Sequence, residues 1–69
     1  MKLYFENSYG VERLIAEVTN EKEVFREIHK FCEEHNYKSH YTRTWMRNNN
    51  EKVYDVGSWS EFFVCHINE

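Results

Sequence analysis

Six side chains of this sequence have the chemistry of metal ligands or of a nucleophile and its base: His29, Cys32, His35, His40, Cys65 and His66. Zinc asks for four such donors in a tetrahedron. Three-residue spacing puts Cys32 and His35 on one face of a helix, while His29 falls near the edge of that face. Neighbouring strand residues point to opposite faces, so Cys65, in step with Phe63 and Ile67, is the one of the pair Cys65-His66 that would join them. A structural zinc ion on Cys32, His35, Cys65 and His40 is the cofactor this spacing predicts, with His29 as the alternative fourth donor. The paired Cys-Xaa-Xaa-Cys knuckle is absent. The bland meaning of the same residues is a buried thiol and a histidine bonded to backbone.

Catalysis has less behind it, and the expectation is a protein that is not an enzyme. The sequence holds no Gly-rich phosphate loop and no Gly-Xaa-Ser-Xaa-Gly elbow, and Asp55 is its one aspartate. A cysteine with a histidine is the sole nucleophile pair available. A chain of 69 residues also leaves little room for a closed pocket.

Charge is uneven along the chain. Its formal net value is -3, yet Lys38, Arg43, Arg47 and Lys52 face only Glu51 in their stretch, and His40, Tyr41 and Trp45 lie among them. Rings beside cations suit stacked bases and phosphates, so a small single-stranded nucleic-acid-binding regulator is one alternative function. An alternating basic strand is more often a solvated edge that resists aggregation. Glu23, Glu27, Glu33 and Glu34 form an acidic stripe that reads as an ordinary solvated helix face.

The elements that must carry these residues are led by a helix over residues 20–37. Val24, Phe25, Ile28, Phe31, Cys32 and His35 recur at three, four and seven residues, with Lys22, Glu23, Arg26, Glu27, Lys30, Glu33 and Glu34 opposite. Asn20 is its N-cap, Glu23 stands where a capping box needs it, and Asn36 can take the left-handed conformation that closes a helix. Strands are predicted at residues 2–6, 11–19, 39–47, 53–56 and 62–67, the first two joined by a hairpin turn at Asn7-Ser8-Tyr9-Gly10. Leu14, Ala16 and Val18 are expected on one face of the second strand. Gly57-Ser58-Trp59-Ser60 reads as a turn, with a single bent, bulged strand as the competing arrangement.

The order ββαβββ builds an α+β domain over residues 1–69, one helix on a mostly antiparallel sheet of four or five strands. One helix cannot cover both faces of such a sheet. The other face is expected to hold several of Tyr4, Tyr41, Trp45, Tyr54, Trp59, Phe62 and Val64, too much aromatic surface to face water without a use. No secretory leader or spanning stretch is visible, and two cysteines do not suggest a disulfide framework. The expected compartment is the cytoplasm.

The stretch Val53-Tyr54-Asp55-Val56-Gly57-Ser58-Trp59-Ser60-Glu61-Phe62-Phe63, with Lys2-Leu3-Tyr4-Phe5-Glu6 and Leu14-Ile15-Ala16-Glu17-Val18, resembles small proteins of phages and prophages of Gram-positive bacteria. Proteins of that kind include anti-CRISPR inhibitors that bind the RNA-guided nuclease of type II systems. The resemblance implies an inhibitor that binds a host nuclease or effector protein and blocks its nucleic-acid loading or activity. It carries no catalytic residue across. The contacts expected for such a partner are Tyr41, Arg43, Trp45, Tyr54 and Trp59, since Trp, Tyr and Arg supply most interface energy. A homodimeric accessory protein is the remaining alternative.

Overall fold

The computed structural model describes residues 1–37, 43–57 and 60–69. Five strands, β1 (Lys2–Glu6), β2 (Glu12–Glu17), β3 (Arg43–Met46), β4 (Glu51–Asp55) and β5 (Phe62–His66), surround one helix in the chain, α1 (Glu21–Glu34). They form one antiparallel sheet in the order β2-β1-β5-β4-β3. This is the small α+β fold that the pattern predicts, and β4 and β5 are two strands.

Local chemistry explains each junction. Asn7 closes the β1–β2 hairpin, its side-chain Oδ1 accepting from the backbone amides of Tyr9 (2.9 Å) and Val11 (3.0 Å), while Gly10 takes a φ of +79°. Asn20 caps α1 by accepting from the Glu23 amide at 2.9 Å. Glu23 reaches back one residue further than a capping box requires, to the amide (2.8 Å) and hydroxyl (2.9 Å) of Thr19. At the far end Asn36 sits at φ +57°, the Tyr37 amide donates to the Cys32 carbonyl at 2.9 Å, and the Tyr37 ring stacks toward Phe31. That is a Schellman closure built on asparagine. Replacing Asn20 by alanine removes an N-cap and is expected to cost about 1 kcal/mol, read from the urea midpoint.

Val24, Ile28, Phe31 and Cys32 of α1 pack against Leu3, Tyr54, Phe63 and Cys65 of the sheet, with Val18 and Val56 completing the buried cluster. Phe5, Phe31 and Phe63 meet ring to ring in its interior.

One register shift reorders β2. Leu3 faces Ala16 but Tyr4 faces Leu14, so Ile15 is the extra residue of a bulge. Ala16 and Ile15 therefore pack against the core, whereas Leu14, opposite Tyr4, points away from α1 and is half exposed. The expected alignment of Leu14 with Ala16 and Val18 fails for that reason: a strict two-residue alternation does not survive an inserted residue.

Candidate outer-face binding surface

Residues directly opposed in antiparallel strands share a face. Leu3, Phe63 and Tyr54 are opposed to Cys65, Phe5 and Phe63 respectively, and all belong to the core under α1. The alternate set, Tyr4, Glu6, Phe62, Val64, His66, Glu51, Val53, Asp55, Arg43 and Trp45, lies on the sheet's outer face. It has two halves of different character.

On the β3–β4 side, Trp45 is 41% exposed and stands edge-on to Phe62 with ring centroids 5.8 Å apart. The Arg43 guanidinium lies 6.0 Å from the Trp45 ring centroid and bonds the buried Asp55 carboxylate at 3.0 Å. Asp55 also accepts from the Gly57 amide at 2.9 Å. Two bonds to one buried carboxylate fix the side chain that holds Arg43 beside the indole.

On the β1–β2 side the face is polar. Arg47 makes a bidentate contact with Glu6, at 2.9 and 2.8 Å, and lies 3.5 Å from Glu51. His66 places Nε2 2.6 Å from Glu12 and Nδ1 3.0 Å from Glu69, while the Tyr4 hydroxyl donates to Glu69 at 2.6 Å. To reach Glu6 on β1 from the end of β3, Arg47 must cross the strands carrying Val64 and Val53, and both valines are 0% exposed. A guanidinium on an aliphatic stem suits that path: the stem covers apolar surface and the head stays bonded at the rim.

The arginine holds the Glu6 carboxyl below the ordinary value of 4.5 through its hydrogen bond. Lys52, followed by Tyr54, does the same to Glu21. Carboxylates held low contribute stability that is complete above their unfolded-state value and is lost as pH falls through the lower folded-state value. The urea midpoint is therefore expected to fall between pH 7 and pH 3, and Arg47→Met to shrink that drop. An unchanged drop in the variant would remove Glu6 from the account.

The residues singled out from the sequence are not all brought together. Arg43 and Trp45 share the outer face. Tyr54 faces α1 instead: it is 2% exposed, meets Phe25 edge-on at 5.5 Å and donates its hydroxyl to Glu21 at 2.9 Å. Burial first, then that bond, pushes its phenol well above the ordinary range. Tyr54 is thus a core residue and no outer-face contact. Its mixed strand, apolar on both sides at Val53 and Tyr54, concealed which side α1 would take. Tyr41 and Trp59 lie outside the described residues.

Cys32 and Cys65 both enter the helix–sheet core, as their stripes predict, and are free thiols there. Burial pushes both thiols up. His35 lies outside that core, stacked on Phe31 at 4.0 Å with its Nδ1 3.0 Å from the Phe31 carbonyl. His29 pairs with Glu33 on the exposed side of α1, and His40 lies outside the described residues. Cys32, His35 and Cys65 do not converge, and among the described residues no group of three or more His, Cys, Asp or Glu side chains is placed to hold a metal ion.

The basic stretch is likewise broken up. Arg43 is bonded to Asp55, Arg47 to Glu6 and Glu51, and Lys52 points to the helix side, where it pairs with Glu21 and lies 5.6 Å from the Tyr54 ring. Lys38 and His40 lie outside the described residues. Sequence reasoning missed the pairing of Glu6 with Arg47 and of His66 with Glu12, because contacts across 41 and 54 residues leave no local pattern.

Among the described residues, no helix is long and apolar enough to cross a membrane. No family model matches the chain, and neither does any curated protein or solved structure.

Proposed function

We propose that this chain is a binding protein that lays the Trp45 side of its outer sheet face against another protein and acts by occupying that surface. The observation that carries the reading is Trp45 itself: a large indole, 41% exposed, on an edge strand, buttressed by Phe62 and Arg43. Trp and Arg in such a setting are the residues that dominate binding energy. A sheet holds them in place before the partner arrives, which lowers the ordering cost of association. The described cations of the basic stretch already have carboxylate partners, which favours a protein over a nucleic acid as the thing bound.

The partner proposed is a host defence nuclease or effector, with the RNA-guided nuclease of type II systems first in line. Support for that class comes from the resemblance to small phage proteins. The mechanism is steric: the bound domain blocks the path by which the nuclease loads or holds nucleic acid. Target-DNA cleavage by a guide-loaded type II nuclease is expected to fall on adding the protein. Trp45→Ala is expected to need roughly 30-fold more protein for the same effect, the equivalent of about 2 kcal/mol. Equal inhibition by a folded Trp45→Ala would sink the Trp45 surface, and no inhibition by the wild type would sink this partner.

A further inference from the structure

The bulge in β2 does more than turn Leu14 outward. Continued without an extra residue, the pairing of Leu3 with Ala16 would set Tyr4 opposite Ile15 and Phe5 opposite Leu14; the inserted residue sets Phe5 opposite Arg13 instead. A guanidinium thus stands on the α1 side of the sheet where strict alternation would have put a leucine. Its central carbon lies 5.9 Å from the Phe31 ring centroid, and among the described residues it bonds no carboxylate. Bulges recur where a side chain has to be re-aimed at a site.

Arg13 borders a cleft of about 350 Å³ between the β1–β2 hairpin and the closing turn of α1. Phe31 stacks with Phe5 at 4.8 Å and with His35 at 4.0 Å, and the closure at Asn36 brings Tyr37 to 6.1 Å, all three rings tilted by 27° or less from Phe31. Asn7 lines the same cleft; its Oδ1 is committed to two backbone amides, which leaves its Nδ2 as a donor. Apolar and aromatic walls with a few polar groups are the make-up of a small-ligand site. We propose that this cleft binds a small, flat aromatic carboxylate, its ring laid on these rings and its carboxylate held in the fork of Arg13. A guanidinium matches a carboxylate with two parallel bonds, and aromatic rings attract one another in offset stacks. One cation suits one negative charge: Glu27 and Glu34, which line the adjoining groove along Phe31, disfavour a doubly charged phosphate. The cleft is on the α1 side of the sheet and the Trp45 surface on the other, so the proposal is independent of the partner that surface meets.

Titrating the isotope-labelled chain with benzoate, phenylacetate and naphthoate, followed by amide NMR, tests it. At least one of the three is expected to saturate with a Kd of about 1 mM or below, in keeping with a ligand of so few atoms. The amides of Asn7, Arg13 and His35 should move while that of Trp45 stays. Benzamide, phenylacetamide and naphthamide, the neutral counterparts, are expected to bind at least about tenfold more weakly, and Arg13→Gln to weaken the carboxylate by as much; Lys22→Gln, on the solvated face of α1, should bind as the wild type does. The comparison of acid with amide is made on the wild type and holds whether or not the variant folds. No saturation by any of the carboxylates up to about 10 mM, equal binding of the amides, or saturation that moves only amides away from the cleft overturns the proposal. Undiminished binding by a folded Arg13→Gln overturns it as well.

Discussion

Phe63→Ala is expected to leave the protein unfolded at room temperature in water. The ring is 1% exposed and meets Phe5 at 5.5 Å and Phe31 at 5.3 Å, so it joins β1, β5 and α1 in one contact. Truncating a buried phenylalanine costs about 3–5 kcal/mol, and a core in a chain of this size rarely supplies more than about 3–5 kcal/mol in total. The two magnitudes cancel, so the variant has no margin left. Circular dichroism under urea checks this: the wild type gives one cooperative transition, and the variant none. A cooperative transition near the wild-type midpoint would mean that α1 does not close over β5 as described.

Val64→Asp tests the other side of the sheet with an effect of similar size. An outer face open to water would accept an aspartate at a solvent-facing position with a change of roughly 0.5 kcal/mol or less. Val64 is 0% exposed, under a face that Arg47 crosses to reach Glu6. A carboxylate there is buried without a partner, and the expected loss is about 3–5 kcal/mol. Val64→Ile, which adds no charge, should leave a cooperative transition. If the aspartate variant instead unfolds at the wild-type urea concentration, the valine is in water and the polar half of the face does not cover it.

Helix, strand count and both caps of α1 were legible because they rest on local spacing. Asn20, Asn36 and Gly10 each do what their residue type permits at one position, and the stripe from Val24 to Cys32 needs nothing beyond a 3.6-residue period. β5 could be read for the same reason, Phe63 and Cys65 entering the core and Phe62, Val64 and His66 the outer face. The rest depended on partners distant in sequence. Val53 and Tyr54 are both buried, one on each side of β4, so alternation could not say which faced α1. The β2 bulge moved Leu14 to the outer face with no glycine or proline to announce it. The expectation of a bare aromatic face failed in part because Glu6, Arg47, Glu12, His66 and Glu69 come together from four separate stretches of chain. Arg43 and Trp45, neighbours on one strand, were found because the two-residue period alone puts them side by side.

The Trp45 surface is tested most directly by replacing that residue with a photo-cross-linking amino acid in the bacterial host and illuminating the cells. A covalent adduct with one host protein is expected from position 45, and none with that protein when the same group replaces Lys22 on the solvated face of α1. A protein that cross-links to nothing from position 45 while remaining folded, or to the same protein from Lys22, would contradict it.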